Sequence, residues 1–93
     1  MELTKNLGMG EEFAISLEEN PTTGYRWEAS FDSSFIELTG KKYQRKSRAI
    51  GGGGTIEFKF LPLKMGKTVL QLRLLRSWEG EAIKVLNYEI EIS

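Results

Sequence analysis

The chain contains no cysteine and no histidine. Without cysteine there is no disulfide, no zinc–thiolate centre and no thiol nucleophile, and the redox compartment leaves no mark. Without histidine, a Ser-His-Asp or Cys-His mechanism cannot be assembled from this chain alone. Imidazole metal sites are excluded as well, and no carboxylates fall at calcium-loop spacing. No cofactor and no metal are expected. An excess of one charge is also missing: 13 basic and 13 acidic residues cancel, whereas nucleic-acid binders carry a basic excess. Long apolar runs are absent too, none exceeding three residues, so nothing reads as a membrane span. The N-terminal MELTKNLG is not a signal peptide. The compartment stays open: cytoplasmic as the chain stands, periplasmic or secreted if a signal had been removed.

What is present is a length of 93 residues, 40% hydrophobic and 28% charged. That fits one globular domain over residues 1–93, with a single core of modest size. Period two dominates. Phe13, Ile15 and Leu17 take alternate positions, as do Tyr25, Trp27, Ala29 and Phe31, then Ile56, Phe58 and Phe60, then Leu70, Leu72 and Leu74. Leu86, Tyr88, Ile90 and Ile92 alternate with Asn87, Glu89 and Glu91. This pattern predicts half-buried antiparallel strands. Strands are placed at 12–18, 25–31, 36–44, 55–61, 67–76 and 83–92. The fold class is all-β, an Ig-like antiparallel β-sandwich of about seven or eight strands. The predicted core is Phe13, Ile15, Leu17, Trp27, Ile56, Phe58, Leu70, Leu72, Leu74, Tyr88 and Ile90. The capping residues of DSSF allow a short turn or 3₁₀ piece at Asp32–Phe35. KKYQRKSR, residues 41–48, carries five basic residues and no acid; it reads as a solvated strand face whose lysines protect a sheet edge.

In a sandwich, successive connections alternate between the two ends. The connections at 20–24, 50–54 and 77–82 are each two strands apart and should emerge together. The first is Asn20-Pro21-Thr22-Thr23-Gly24, a stiff turn holding short hydroxyls at its apex. The second, Gly51-Gly52-Gly53-Gly54, lacks the lysine and helix of a phosphate loop. It suits either a flexible hairpin or close approach of another backbone. The third begins Arg76-Ser77-Trp78. Trp78 either folds back on the core or stands exposed as an interface anchor; Arg76 either braces the neighbouring loop or pairs with a partner carboxylate.

Asn20-Pro21-Thr22-Thr23-Gly24-Tyr25 with Trp27, then Gly51–Gly54 with Thr55 and Phe58, then Arg76-Ser77-Trp78, together resemble the chagasin-type inhibitors of papain-like cysteine proteases. The order and spacing fit from about residue 7 to the C-terminus. The third loop departs from the family pattern, with Ser77 where proline is usual, which leaves it less preorganised. The resemblance implies a monomeric, reversible, tight-binding inhibitor that performs no catalysis. Thr22 and Thr23 would ride a wedge into the active-site cleft, with Pro21 and Gly24 holding the tip and Tyr25 and Trp27 anchoring its base. The glycine loop would run along the cleft in a backbone-paired manner, and Trp78 would pack on the protease surface. The alternative is an Ig-like binding or adhesion module with another partner. A carboxylate enzyme is a poor fit, because Glu18 and Glu19 are adjacent and point to opposite strand faces. A cystatin is excluded by the missing glutamine-x-valine-x-glycine motif.

Overall fold

A computed structural model describes residues 2–45, 53–76, 78 and 80–93, with the backbone alone at Glu2 and Pro21. Among the described residues there are seven strands: β1 (Glu2–Leu7), β2 (Phe13–Glu19), β3 (Arg26–Phe31), β4 (Ile36–Arg45), β5 (Gly54–Pro62), β6 (Gly66–Leu75) and β7 (Ala82–Ile92). They form two sheets, ordered β1-β7-β6-β3 and β2-β5-β4. The β4–β5 and β6–β7 pairs are antiparallel neighbours within one sheet, and the other sequential connections cross between sheets. The expected sandwich is therefore present, and the six strands read from periodicity all appear.

β1 was not among those six, and its pairing with β7 is parallel, with Leu3 opposite Tyr88 and Leu7 opposite Ile92. No hairpin joins these strands, so nothing ties β1 to the antiparallel direction. The ladder continues past the strand ends, where Ser93 N–H donates to Leu7 O at 3.0 Å and Met9 N–H donates to Ser93 O at 2.9 Å.

The core lies between the sheets. Ile15, Trp27, Ile56, Phe58, Leu70, Leu72, Tyr88 and Ile90 are buried as expected. Phe60, Leu86 and Ile92, which continue the same alternations, are buried too, together with Ile36 and Leu75. Phe13, Leu17 and Leu74 are corrections, being only partly buried against the core. Phe13 and Leu17 lie on β2, which forms the edge of its sheet and pairs with β5 alone, so one flank stays open. At Leu74 and Leu75 the β6–β7 register shifts, with Ile83 of β7 passed over in the pairing; Leu74, opposite Trp27, keeps the core side but is only partly buried, whereas Leu75, opposite Arg26, is buried without joining the core. Phe60 joins the layers, its ring 5.4 Å from Phe13 of its own sheet and 5.4 Å, edge-on, from Phe31 of the other.

At Asp32–Phe35 the chain makes a turn rather than a 3₁₀ helix. Asp32 O accepts from Phe35 N–H at 3.0 Å and Ile36 N–H at 3.2 Å, while Asp32 Oδ1 accepts from Ser34 N–H at 2.9 Å and Ser34 Oγ at 2.6 Å. β4 is the edge strand that its basic residues predicted; residues 46–48 of that stretch lie outside the described residues.

Candidate protease-binding end

The described parts of the three loops meet at one end of the sandwich. Glu19, the last residue of β2, pairs with Gly54, the first of β5, and Arg26, the first of β3, pairs with Leu75, the last of β6. The chain on either side of the first loop is thus held against the start of β5 and the end of β6. Gly51, Gly52 and Ser77 lie outside the described residues.

The first loop is a single 3₁₀ turn, Pro21–Thr23, where a simple tight turn was expected. Asn20 caps it. Asn20 Oδ1 accepts from Thr22 N–H at 3.1 Å and from Thr22 Oγ1 at 2.7 Å, and Asn20 O accepts from Thr23 N–H at 3.1 Å and Thr23 Oγ1 at 2.8 Å. Proline follows the cap at the first helical position, where its missing N–H costs nothing. Thr23 Oγ1 also accepts from Tyr25 N–H at 3.3 Å. Each threonine hydroxyl has one proton, and both protons are used inside the loop. The exposed tip therefore has no threonine hydroxyl proton left to offer a partner. Gly24 closes the turn with φ at 81°, in the left-handed region.

The base of this loop is sewn across the two sheets by Trp27. Its ring is buried, as its phase predicted, and its Nε1–H donates to Glu18 O at 2.9 Å. Trp27 N–H donates to Glu19 Oε1 at 2.8 Å, so a carboxylate from one sheet caps the free edge of β3 in the other. Glu19 is the one buried charged side chain among the described residues, whereas Glu18 is exposed. The two point to opposite sides, as adjacent strand residues must. The bracing role of Glu19 was not foreseen, yet a signal existed: it continues the inward phase of Phe13, Ile15 and Leu17.

In the second loop, Gly54 belongs to β5 and is buried, and a Cβ there would collide with Gln44 O and stand 2.5 Å from Tyr43 Oη. Its missing side chain is thus accounted for by internal packing. Gly53 is half-buried, and a Cβ on it would lie 3.7 Å from Asn20 Cβ, so the second loop leaves β5 beside the first. A shallow cleft runs between them, past Glu19, Asn20, Thr23 and Gly53.

In the third loop, Trp78 is 70% exposed, which removes the core alternative for it. Its Cη2 sits 2.5 Å from the position a Gly24 Cβ would take. The Arg76 guanidinium lies over the Tyr25 ring, 4.1 Å from its centroid, and 5.7 Å from the Trp78 ring. Arg76 Nε–H donates to Thr23 O at 3.0 Å. Tyr25 is accordingly half-buried, roofed by Arg76 instead of sunk in the core with Trp27. Among the described residues, no cluster of three or more His, Cys, Asp or Glu could hold a metal ion, and no helix is long and apolar enough to cross a membrane.

The model of the chagasin family of peptidase inhibitors, I42, matches residues 6–92. Amoebiasin-2 of Entamoeba histolytica is 30% identical over 94 residues, covering 96% of this chain and 76% of its own. Chagasin of Trypanosoma cruzi is 30% identical over 83 residues, covering 83% of this chain and 76% of its own. The crystal structure of the cysteine protease inhibitor EhICP2 from Entamoeba histolytica superposes with a TM-score of 0.84 at 25% identity, covering 99% of this chain and 94% of that one. The match runs through all three loop segments and the whole sandwich, and the chain belongs to the chagasin family of cysteine peptidase inhibitors.

Proposed function

We propose that this inhibitor blocks papain-like cysteine proteases by seating the 20–25, 51–54 and 76–78 end of the sandwich in the active-site cleft. Thr22 and Thr23 form the leading edge, held by Asn20, Pro21 and Gly24. Gly53 and the glycines before it lie along one side, with Gly54 and Tyr25 setting the loop bases. Trp78 covers the other side, beyond Arg76 and Ser77. The mechanism is occlusion, with no bond made or broken. The observation that carries it is the exposed Trp78 ring resting beside a wedge tip whose donors are already satisfied internally. Such a surface loses little conformational entropy on docking. The closed 3₁₀ turn also resists the extended shape a scissile segment must take, so the inhibitor should outlast the encounter.

The test is a papain turnover assay with a peptide substrate, followed by intact-mass analysis of the inhibitor. Competitive inhibition with the chain uncut is the expected result. Rapid stoichiometric cleavage within residues 20–25 would make the chain a substrate.

A further inference from the structure

We infer that Arg76 is a positioning residue that locks the first and third loops into one body before any protease arrives; the inference rests on the reading of this end as the protease-binding face. The two loops are far apart in sequence, Thr23 and Arg76 being separated by 53 positions along the chain. The β3–β6 ladder brings their bases together but stops at the Arg26–Leu75 pair, so no strand pairing continues into the loops to fix the angle between them. Arg76 supplies two constraints at once. Its Nε–H bond to Thr23 O sets the guanidinium plane, and that plane lies on the Tyr25 ring, 4.1 Å from the centroid. The acceptor is a backbone carbonyl, so the bond holds the wedge itself and not a mobile side chain.

Two residues on, Trp78 meets two neighbours, the Arg76 guanidinium 5.7 Å from its ring and Gly24 at its Cη2 edge. A side chain on Trp78 that is 70% exposed would otherwise sample several rotamers. The guanidinium is directed into the inhibitor's own loops. Lysine cannot reproduce this: it has no planar face to stack and no donor at the Nε position.

The test combines binding with spectroscopy. The parent, Arg76→Ala, Arg76→Lys, Trp78→Ala and the Arg76→Ala/Trp78→Ala double variant are titrated against papain, at about 50 mM and about 500 mM salt. In parallel, acrylamide quenching and fluorescence anisotropy are read on the free proteins. Trp27 is 3% exposed and Trp78 70% exposed, so the quenchable emission comes from Trp78. Arg76→Ala and Arg76→Lys should each raise the inhibition constant roughly fivefold to tenfold at both salt concentrations. Both should also increase quenching and lower the anisotropy of Trp78. The double variant should be tighter than the product of the single losses requires, because each loss removes part of the same clamp. Strictly additive losses, rescue by lysine, disappearance of the effect at high salt and unchanged quenching would overturn the clamp and place Arg76 against a protease carboxylate. If the parent fails to inhibit papain, the functional reading falls, while the quenching and anisotropy arm still decides the clamp. If Arg76→Ala fails to fold, Arg76→Lys carries the comparison.

Discussion

The Trp78 ring rests on Gly24, with Cη2 only 2.5 Å from the place a Cβ on Gly24 would occupy. Gly24 is thus required twice, once for its φ of 81° and once for the space above it. Gly10 separates the two demands, since its φ is 78° and nothing lies within 4 Å of its absent Cβ. Alanine at either position imposes left-handed strain of about 1–2 kcal/mol, enough to lower Tm by roughly 5–15 °C in a domain of this size. Gly24→Ala should in addition displace Trp78 and weaken inhibition, whereas Gly10→Ala should leave the inhibition constant unchanged. Thermal melts and papain titrations of both variants check this.

Thr22 is exposed at the wedge tip, and its hydroxyl is spent on Asn20. Thr22→Phe adds volume to an edge that must enter a narrow cleft, and a clash of this kind is what discriminates between partners. Inhibition should weaken by about tenfold or more, which is about 1.4 kcal/mol, with Tm little changed. A folded Thr22→Phe variant that inhibits like the parent would remove this loop from the interface.

Trp78→Ala removes an exposed aromatic from the protein surface. Truncating an interface tryptophan commonly costs about 2 kcal/mol or more, a rise of roughly 30-fold in the inhibition constant. Loss of a buried tryptophan would instead cost about 3–5 kcal/mol of stability. The expected outcome is weak inhibition with a nearly unchanged melting point.

Much of the sandwich was legible because its strands each bury one face. The inward sets on β5 and β7 followed directly from Ile56-x-Phe58-x-Phe60 and Leu86-x-Tyr88-x-Ile90-x-Ile92. β1 was harder: its inward side chains are Leu3 and Leu7 with Lys5 between, and its partner β7 lies at the far end of the chain. Leu75 falls out of phase with Leu70, Leu72 and Leu74, so its burial was not announced by the alternation, nor was the register shift beside it. The three loops could be assigned to one end by counting strands. Of their internal wiring, bracing by Arg76 was one of two open readings and the Trp78 contact with Gly24 was not read at all, because both join segments remote in sequence. Local composition was more informative about the Asn20 cap, whose partners lie two and three residues away.

The opposite end supplies a control. The hydrogen bond from the Ser34 hydroxyl, followed by that from the Ser34 backbone N–H, holds the Asp32 carboxyl below its ordinary value of 3.8. A depressed folded pKa means that the carboxylate form favours the native state. That contribution is fully present above pH 3.8 and is lost as pH falls through the lower folded pKa. Asp32→Ala should therefore lower Tm at neutral pH, with the difference from the parent shrinking in strong acid. Inhibition at neutral pH should be unaffected, since Asp32 lies between β3 and β4 on the side away from the wedge.

Which end of the sandwich docks is settled most directly by hydrogen–deuterium exchange of the inhibitor with and without papain. Exchange should slow on binding within residues 20–25, at Gly53 and the glycines before it, and across 76–81. It should be unchanged at 8–12, 32–35 and 63–65, at the other end. Protection at that other end or along β4, with none at 20–25 and 76–81, would contradict occlusion by the three loops.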